Sequence, residues 1–204
     1  MAMPGMVVYL LRHSETVSDG VRRYIGCSDT PLSDHGKLRA EQFGSMFATK
    51  DISAIYHSPL IRSRDTAILM NPPLGYPPLH VCAELSEICL GDWEGLPFAD
   101  VQRDYPKAYA ARGQDIANFR IPSGESFADC QARVVEAWQE ITAQHAGENI
   151  IIVGHAGVNR CMLSTLLHQD LAELFSIPQS YLGVSIITSK DNQFVVEQID
   201  GTVV

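Results

Sequence analysis

Apolar and polar positions alternate along this chain in two distinct rhythms. Val7–Leu11 and Asn149–Val153 are short runs that are apolar at almost every position, the pattern of strands buried on both faces. "ISAIYHS" (52–58) reads as another strand, "LHVCAEL" (79–85) as a third, and "YLGVSIITSKDNQFVVEQID" (181–200) as two strands around a turn at Lys190–Gln193. Between them the spacing changes to three and four. Ser33 can cap a helix whose stripe is Ala40, Phe43 and Phe47. Pro59 opens another that runs through Arg62 and Thr66 to about Met70. Phe127, Cys130, Val134, Ala137 and Ile141 mark the clearest helix, with Glu125 and Asp129 near its N-terminal end. A further helix runs through "GVNRCMLSTLLH" (157–168).

Strands alternating with helices predict an α/β fold, a three-layer α/β/α stack around a mostly parallel central sheet. The proline-rich stretch 71–78 is too short for a domain linker, and no repeat or composition shift marks a boundary, so 1–204 reads as a single domain. Residues 97–122 form a lid-like insertion: a helix from Pro97 to Arg112, interrupted by Pro106, then a looser stretch to Pro122.

Such a sheet binds ligands beyond the carboxyl ends of its strands. Two buried strands end on chemistry there. Val7–Leu11 runs into Arg12-His13, and Asn149–Val153 into Gly154-His155. An arginine offers a planar fork of donors matched to phosphate oxygens, and a neutral imidazole beside it can attack phosphorus. Arg62 lies one turn into the helix after the second strand. Glu84 and Glu87 in "ELSEICLGDWEG" (84–95) are candidate acids for protonating a leaving alkoxide.

Composition narrows the partners. The 204 residues carry 15 basic and 24 acidic side chains, a formal charge of −9, which disfavours nucleic acid and anionic membrane surfaces as general partners. Five cysteines, an odd number without CxxC spacing, argue against a disulfide framework and a cysteine-built zinc site. They point to a reducing compartment. "MAMPGM" lacks the features of a signal peptide, and no apolar run approaches the ~20 residues of a membrane helix, so a cytoplasmic protein is expected. His35, His57, His80, His145 and His168 share no metal-ligand spacing, and no metal site or cofactor is expected.

The blocks "LLRHSET", "YIGCSDTPLSDHGKLRAEQ", "IYHSPLIRSRDTA", "ELSEICLGDWEG", "PSGESFADCQARV" and "IIIVGHAGVNR" resemble, in order, the motifs of the histidine phosphatase superfamily, the group that contains phosphoglycerate mutases. The resemblance implies a phosphoglycerate mutase-like fold. It implies that His13 is the nucleophile and that Arg12, Arg62 and His155 hold the phosphoryl group. It makes Glu87, rather than Glu84, the proton donor, and implies no cofactor. Two positions depart from the pattern: Ser14 stands for the usual glycine, and Asp19 for an asparagine that touches phosphate in many members. Ser14 and Asp19 therefore enter the substrate-binding set with a condition. A carboxylate beside a phosphate dianion is repulsive, so either Asp19 turns away or Ser14 or Ser18 takes the contact. Arg64 matches no fixed position and reads as a surface residue, and Glu94 as a local cap or ion-pair partner. Arg22 and Arg23 are either a solvated pair or guards of the pocket mouth.

Three functions follow: a phosphomonoester phosphatase, a phosphoglycerate mutase, or a non-catalytic binder of phosphorylated ligands. The full residue set disfavours the binder. The mutase lacks support because cofactor-dependent mutases carry an adjacent arginine pair in the insertion, whereas Arg103, Lys107, Arg112 and Arg120 are all separated. The expectation is hydrolysis of a small phosphorylated metabolite with inorganic phosphate as product, by a monomer or homodimer. The spacing most resembles α-ribazole-5′-phosphate phosphatases and the broad-specificity phosphatases beside them. Tyr105, Tyr109, Phe119 and Trp93 either stack on a ring-bearing leaving group or pack the insertion onto the core.

Overall fold

The computed structural model describes residues 5–190 and 193–203. The strands are β1 (Val7–Arg12), β2 (Ile52–His57), β3 (Leu79–Val81), β4 (Asn149–Gly154), β5 (Val184–Lys190) and β6 (Gln193–Gly201). The helices are α1 (Asp34–Gly44), α2 (Ile61–Met70), α3 (Phe98–Asp104), α4 (Pro106–Gln114), α5 (Phe127–Gln144) and α6 (Ala156–Leu166). The strands make one mixed sheet in the order β3-β2-β4-β1-β5-β6. The β1–β4, β2–β4 and β2–β3 pairs are parallel, and the β1–β5 and β5–β6 pairs are antiparallel. Residues 191 and 192 of the turn expected between the last two strands lie outside the described residues.

The apolar runs are continuous because both faces of the central strands are covered. Side chains alternate across the sheet. Val8, Leu10, Ile150 and Ile152 enter a core with Cys130, Val134 and Ile141 of α5 and Met162 of α6. Tyr9, Leu11, Ile151 and Val153 enter a second core with Ala67 and Met70 of α2 and with Phe47. Helices thus cover both faces, as the alternation of strands and helices predicts.

The differences are local and have causes. Phe47 lies beyond α1 on a single 3-10 turn, Ser45–Phe47, but is still buried. Leu60 is extended (ψ 134°), so α2 starts at Ile61 rather than at Pro59. β3 is only three residues long, because the chain after Cys82 turns at Ala83–Leu85 to bury Leu85. Pro106 interrupts the helix expected from Pro97 to Arg112, which divides into α3 and α4. It opens α4 at the first position, where its missing N–H is no loss, and Tyr105 joins α3 to α4. Ser33 caps α1 as expected, accepting from the Gly36 N–H at 2.9 Å. Ser126 and Asp129 form a reciprocal capping box on α5, while Glu125 stays outside the helix and pairs with Arg133 at 2.7 Å.

One cysteine expectation needs correction. Cys27 and Cys89, 62 residues apart, are joined in a disulfide, and the remaining three cysteines are free. Neither an odd count nor a CxxC search can detect such a pair, because loops that meet only in the folded chain bring it together. Among the described residues no helix is long and apolar enough to cross a membrane.

Candidate active site

Parallel pairing sets the site. Arg12 is in register with Gly154, and the His13 N–H donates to the Gly154 carbonyl at 3.1 Å. His13 and His155 therefore leave the sheet side by side, with ring centroids 5.1 Å apart. This answers why each buried strand ends on a histidine: the two strand ends are one place.

Each imidazole has a defined proton. His13 Nδ1 lies 2.7 Å from the Ser14 carbonyl, which can only accept, so Nδ1 carries hydrogen and Nε2 presents its lone pair. Burial, then the charges of Arg12 and Arg62, pull His13 well below the ordinary histidine range, which keeps it neutral at neutral pH. His155 has no exposed surface, and its Nε2 lies 2.6 Å from Ser58 Oγ. Ser58 Oγ already accepts from the Leu60 N–H at 3.3 Å. With the Ser58 hydroxyl donating to Nε2, hydrogen sits on Nδ1. That Nδ1 is buried without a partner. Burial, then the positive potential of His13, Arg62 and Arg12, also holds His155 well below its ordinary value.

The arginines are fixed by carbonyls. Arg62, only 2% exposed, donates to the Ser28 carbonyl at 2.7 Å and the Gly26 carbonyl at 2.6 Å. Arg12 donates to the Gln179 carbonyl at 2.8 Å and lies 4.0 Å over the Tyr181 ring, while its Nε is buried with no partner. Two of the four unpartnered buried side-chain atoms among the described residues, Arg12 Nε and His155 Nδ1, thus belong to this one site. A buried N–H is expensive to leave unbonded, and both groups have the donor chemistry that an anion accepts from.

Glu87 comes from the turn after β3. Its carboxylate accepts from the Ile88 N–H at 2.9 Å, and from the Gly157 and Val158 N–H groups at 3.0 and 3.1 Å. The latter two are free donors of the first turn of α6. Position 157 must be glycine for this contact, because a Cβ there would collide with Glu87 Oε1. Arg12, His13, Arg62, Glu87 and Tyr181 line an open cavity of about 670 Å³.

Two other candidates face elsewhere. The Ser14 hydroxyl donates to the Gly36 carbonyl at 2.7 Å, and its N–H to Thr66 Oγ1 at 3.0 Å, which ties β1 to α1 and α2. Asp19 lines the cavity, but its carboxylate is engaged by Arg23 at 2.6 Å and by the Val21 N–H at 3.0 Å. Arg22 and Arg23 both stand at the cavity wall. Arg64 pairs with Asp65 on the surface at 2.9 Å, and Glu84 accepts from the Cys82 thiol at 3.3 Å. Trp93 is buried against Tyr105 and Phe119, which supports packing for these three, whereas Tyr109 lines a cavity.

The sequence reading missed Ser58, Tyr181 and the full part played by Glu94. Ser58 directly follows β2 inside "HSPLIRS", a signal the strand-end argument could have used. The Glu94 carboxylate accepts from the N–H groups of Gly26, Cys27, Ser28 and Leu90 and from the Ser28 hydroxyl. It thereby organises the loop whose carbonyls hold Arg62. Burial pushes Glu94 up, but these donors, Ser28 foremost, leave it below the usual carboxylate value. Cys27, Cys89 and Glu94 also bring ligand-type atoms within 4.8 Å of one another, but the sulfurs are bonded together and the carboxylate is filled by these donors.

Residues 8–201 match the model of the histidine phosphatase superfamily (branch 1). The chain belongs to this superfamily. Phosphoserine phosphatase 1 of Hydrogenobacter thermophilus is 28% identical over 195 residues, which cover 95% of this chain and 91% of that one. The adenosylcobalamin/alpha-ribazole phosphatase of Salmonella typhimurium is 30% identical over 170 residues, 83% of this chain and 84% of that one. Among solved structures of the superfamily's fold, Bacillus stearothermophilus YhfR is 32% identical with a TM-score of 0.87, covering 98% of both chains. The mixed six-stranded sheet with its flanking helices is therefore the phosphoglycerate mutase-like α/β fold.

Proposed function

We propose that this chain is a phosphomonoester hydrolase that works through a phosphohistidine at His13. The observation that carries the reading is the contact of His13 Nδ1 with the Ser14 carbonyl. Nδ1 is committed to the Ser14 carbonyl, so Nε2 is a free nucleophile in a pocket of unpartnered cationic and N–H donors.

The phosphoryl group of a small phosphorylated metabolite sits between Arg12, Arg62 and the Nδ1–H of His155. These donors are in place before charge develops, so they stabilise the transition state without reorganising. His13 Nε2 bonds to phosphorus as the ester P–O bond breaks, and the leaving oxygen takes a proton from Glu87. Water then gives a proton back to Glu87 and attacks the phosphohistidine. The P–N bond breaks and inorganic phosphate leaves. No metal is required by this scheme. Ser14 acts from behind, holding the backbone that orients His13, and Asp19 shapes the pocket mouth through Arg23 rather than meeting the phosphate. An α-ribazole 5′-phosphate-like ester is one substrate of this class.

The role of Glu87 has a direct test in phosphate release from two esters. An alkyl phosphate has a poor leaving group, so Glu87→Gln should cost roughly 10²–10⁴ in kcat. With p-nitrophenyl phosphate, whose leaving group departs as an anion, the loss should be far smaller. Equal losses on both esters would remove Glu87 from the proton transfer, and transfer of phosphate to a second hydroxyl of 3-phosphoglycerate would replace hydrolysis by mutase chemistry.

A further inference from the structure

The Cys27–Cys89 disulfide sits against the site but takes no part in the hydrolytic scheme. Cys27 lies between Gly26 and Ser28, whose carbonyls accept from Arg62 at 2.6 and 2.7 Å. Cys89 follows Glu87 by two residues. Across 62 residues of sequence, the bond therefore ties the loop that anchors Arg62 to the segment that carries Glu87. Cys27 is exposed and Cys89 half-buried, so a reagent can reach the bond from the Cys27 side. Cys130 and Cys161 are free but buried on α5 and α6.

The two segments are also held together without the sulfurs. Glu94 accepts from the Gly26, Cys27 and Ser28 N–H groups on one side and from the Leu90 N–H on the other. The Cys89 carbonyl accepts from the Glu125 N–H at 2.9 Å. Both sulfurs and a Glu94 oxygen lie within 4.8 Å of one another. With the S–S bond open, these contacts keep the two thiols in reach of each other, which makes closure an intramolecular step with a high effective concentration. Exposed disulfides exchange with outside thiols more readily than sheltered ones, and are the kind that serves control rather than stability.

We propose that Cys27–Cys89 is a thiol-exchange site that takes a dithiol, and that opening the bond weakens the hold of Arg62 on an anion. A thiolate of the dithiol attacks Cys27 Sγ. The S–S bond breaks, and its electron pair leaves on Cys89 Sγ, which takes a proton. The second thiolate of the dithiol then attacks its own sulfur in the mixed disulfide. Cys27 Sγ leaves with that electron pair and takes a proton. The protein has gained two electrons and two protons, and the dithiol departs as a disulfide. A disulfide such as oxidised glutathione closes the bond by the reverse exchange and leaves as two thiols. Opening removes the covalent tie on Cys27, so the Gly26 and Ser28 carbonyls that fix Arg62 keep only their hydrogen-bonded support. The exchange chemistry is independent of the hydrolase reading; the consequence for anion binding rests on its assignment of the phosphoryl group to Arg62.

The test opens the native protein with dithiothreitol and closes it with oxidised glutathione. At each stage the reagent is removed, free thiols are counted by alkylation and mass, inorganic phosphate binding is measured by calorimetry, and hydrolysis of p-nitrophenyl phosphate is followed. As the thiol count rises from three to five, the phosphate Kd should rise roughly 10-fold, the worth of one weakened hydrogen bond from a charged group, and closure should restore it. Cys27→Ser with Cys89→Ser should bind phosphate as the reduced wild type does and should ignore dithiothreitol. Cys82→Ser should respond as wild type does. A bond that opens only in denatured protein, thiols that do not rejoin with oxidised glutathione, or a double serine variant that fails to fold overturns the exchange site. Equal phosphate affinity in the two states overturns its control of Arg62. If phosphate affinity follows the bond while neither state hydrolyses ester, the exchange site stands and only the hydrolase reading falls.

Discussion

Ser58 engages Nε2 of His155 and leaves Nδ1 without a protein partner. Where its hydroxyl donates to Nε2 and accepts from the Leu60 N–H, hydrogen sits on Nδ1. Ser58→Ala should free the imidazole to populate the other tautomer and should lower kcat about tenfold, the worth of one buried hydrogen bond. Nitrogen NMR of His155 distinguishes this from simple packing loss, since the tautomer signature should change in Ser58→Ala and persist in Ser58→Thr. An unchanged tautomer in the alanine variant would contradict the assignment. At this scale the sequence was legible where a residue follows a strand directly, as His13, His155 and Arg12 do. It was silent on Tyr181 and Gln179, which reach the site only through the antiparallel return of the chain before β5.

The elements behave in the same way. Helices with a full apolar stripe and a capping serine, α1 and α5, stood out because local periodicity and the tertiary fold demand the same thing. β3 was expected too long because its end is set by contacts, not by its own pattern, whereas the break of the insertion helix at Pro106 was legible. Leu85 is pulled into the core before β3 can lengthen, and Pro106 fits a helix start as well as a break. The loop containing Gly26–Ser28 has no periodicity at all, and its order comes from Glu94 together with Arg62 and the Cys27–Cys89 disulfide. Glu94→Ala strands four backbone N–H groups and a hydroxyl, and should lower stability by about 3 kcal/mol. For a chain of this size that is a drop of roughly 6–12 °C in melting temperature. It should also weaken phosphate binding, because the Gly26 and Ser28 carbonyls position Arg62. Wild-type stability in this variant would mean that the loop holds itself.

On the scale of the whole molecule, charge is distributed against the average. The chain's formal charge is −9, yet among the described residues Arg12, Arg22, Arg23, Arg62, Arg112 and Arg160 line two adjoining cavities, of about 670 and 720 Å³, whose acidic wall residues are Asp19 and Glu87. The sequence revealed the net charge but not this segregation, since the six arginines come from separate parts of the chain. The same positive, buried environment links stability to pH. His13 and His155 are held below their ordinary value when folded, so from about pH 6.5 downward the unfolded chain binds more protons than the native one. Stability should therefore fall as pH drops below about 6.5, by up to ~1.4 kcal/mol per pH unit for each imidazole, until the folded-state values are reached. His13→Asn with His155→Asn should flatten that slope in denaturant titrations. An unaltered slope would show that these imidazoles do not carry the effect.

The central claim is that phosphorus becomes bonded to His13, and one measurement addresses it directly. Wild-type protein mixed with a labelled phosphomonoester and quenched in milliseconds without acid should carry the label. Peptide mapping under alkaline conditions should place the label on Nε2 of His13, because Nδ1 is committed to the Ser14 carbonyl. The label should decay at a rate that accounts for turnover and should be absent from His13→Ala. Label on another residue, or turnover with no label on a time scale that would trap it, would contradict the account.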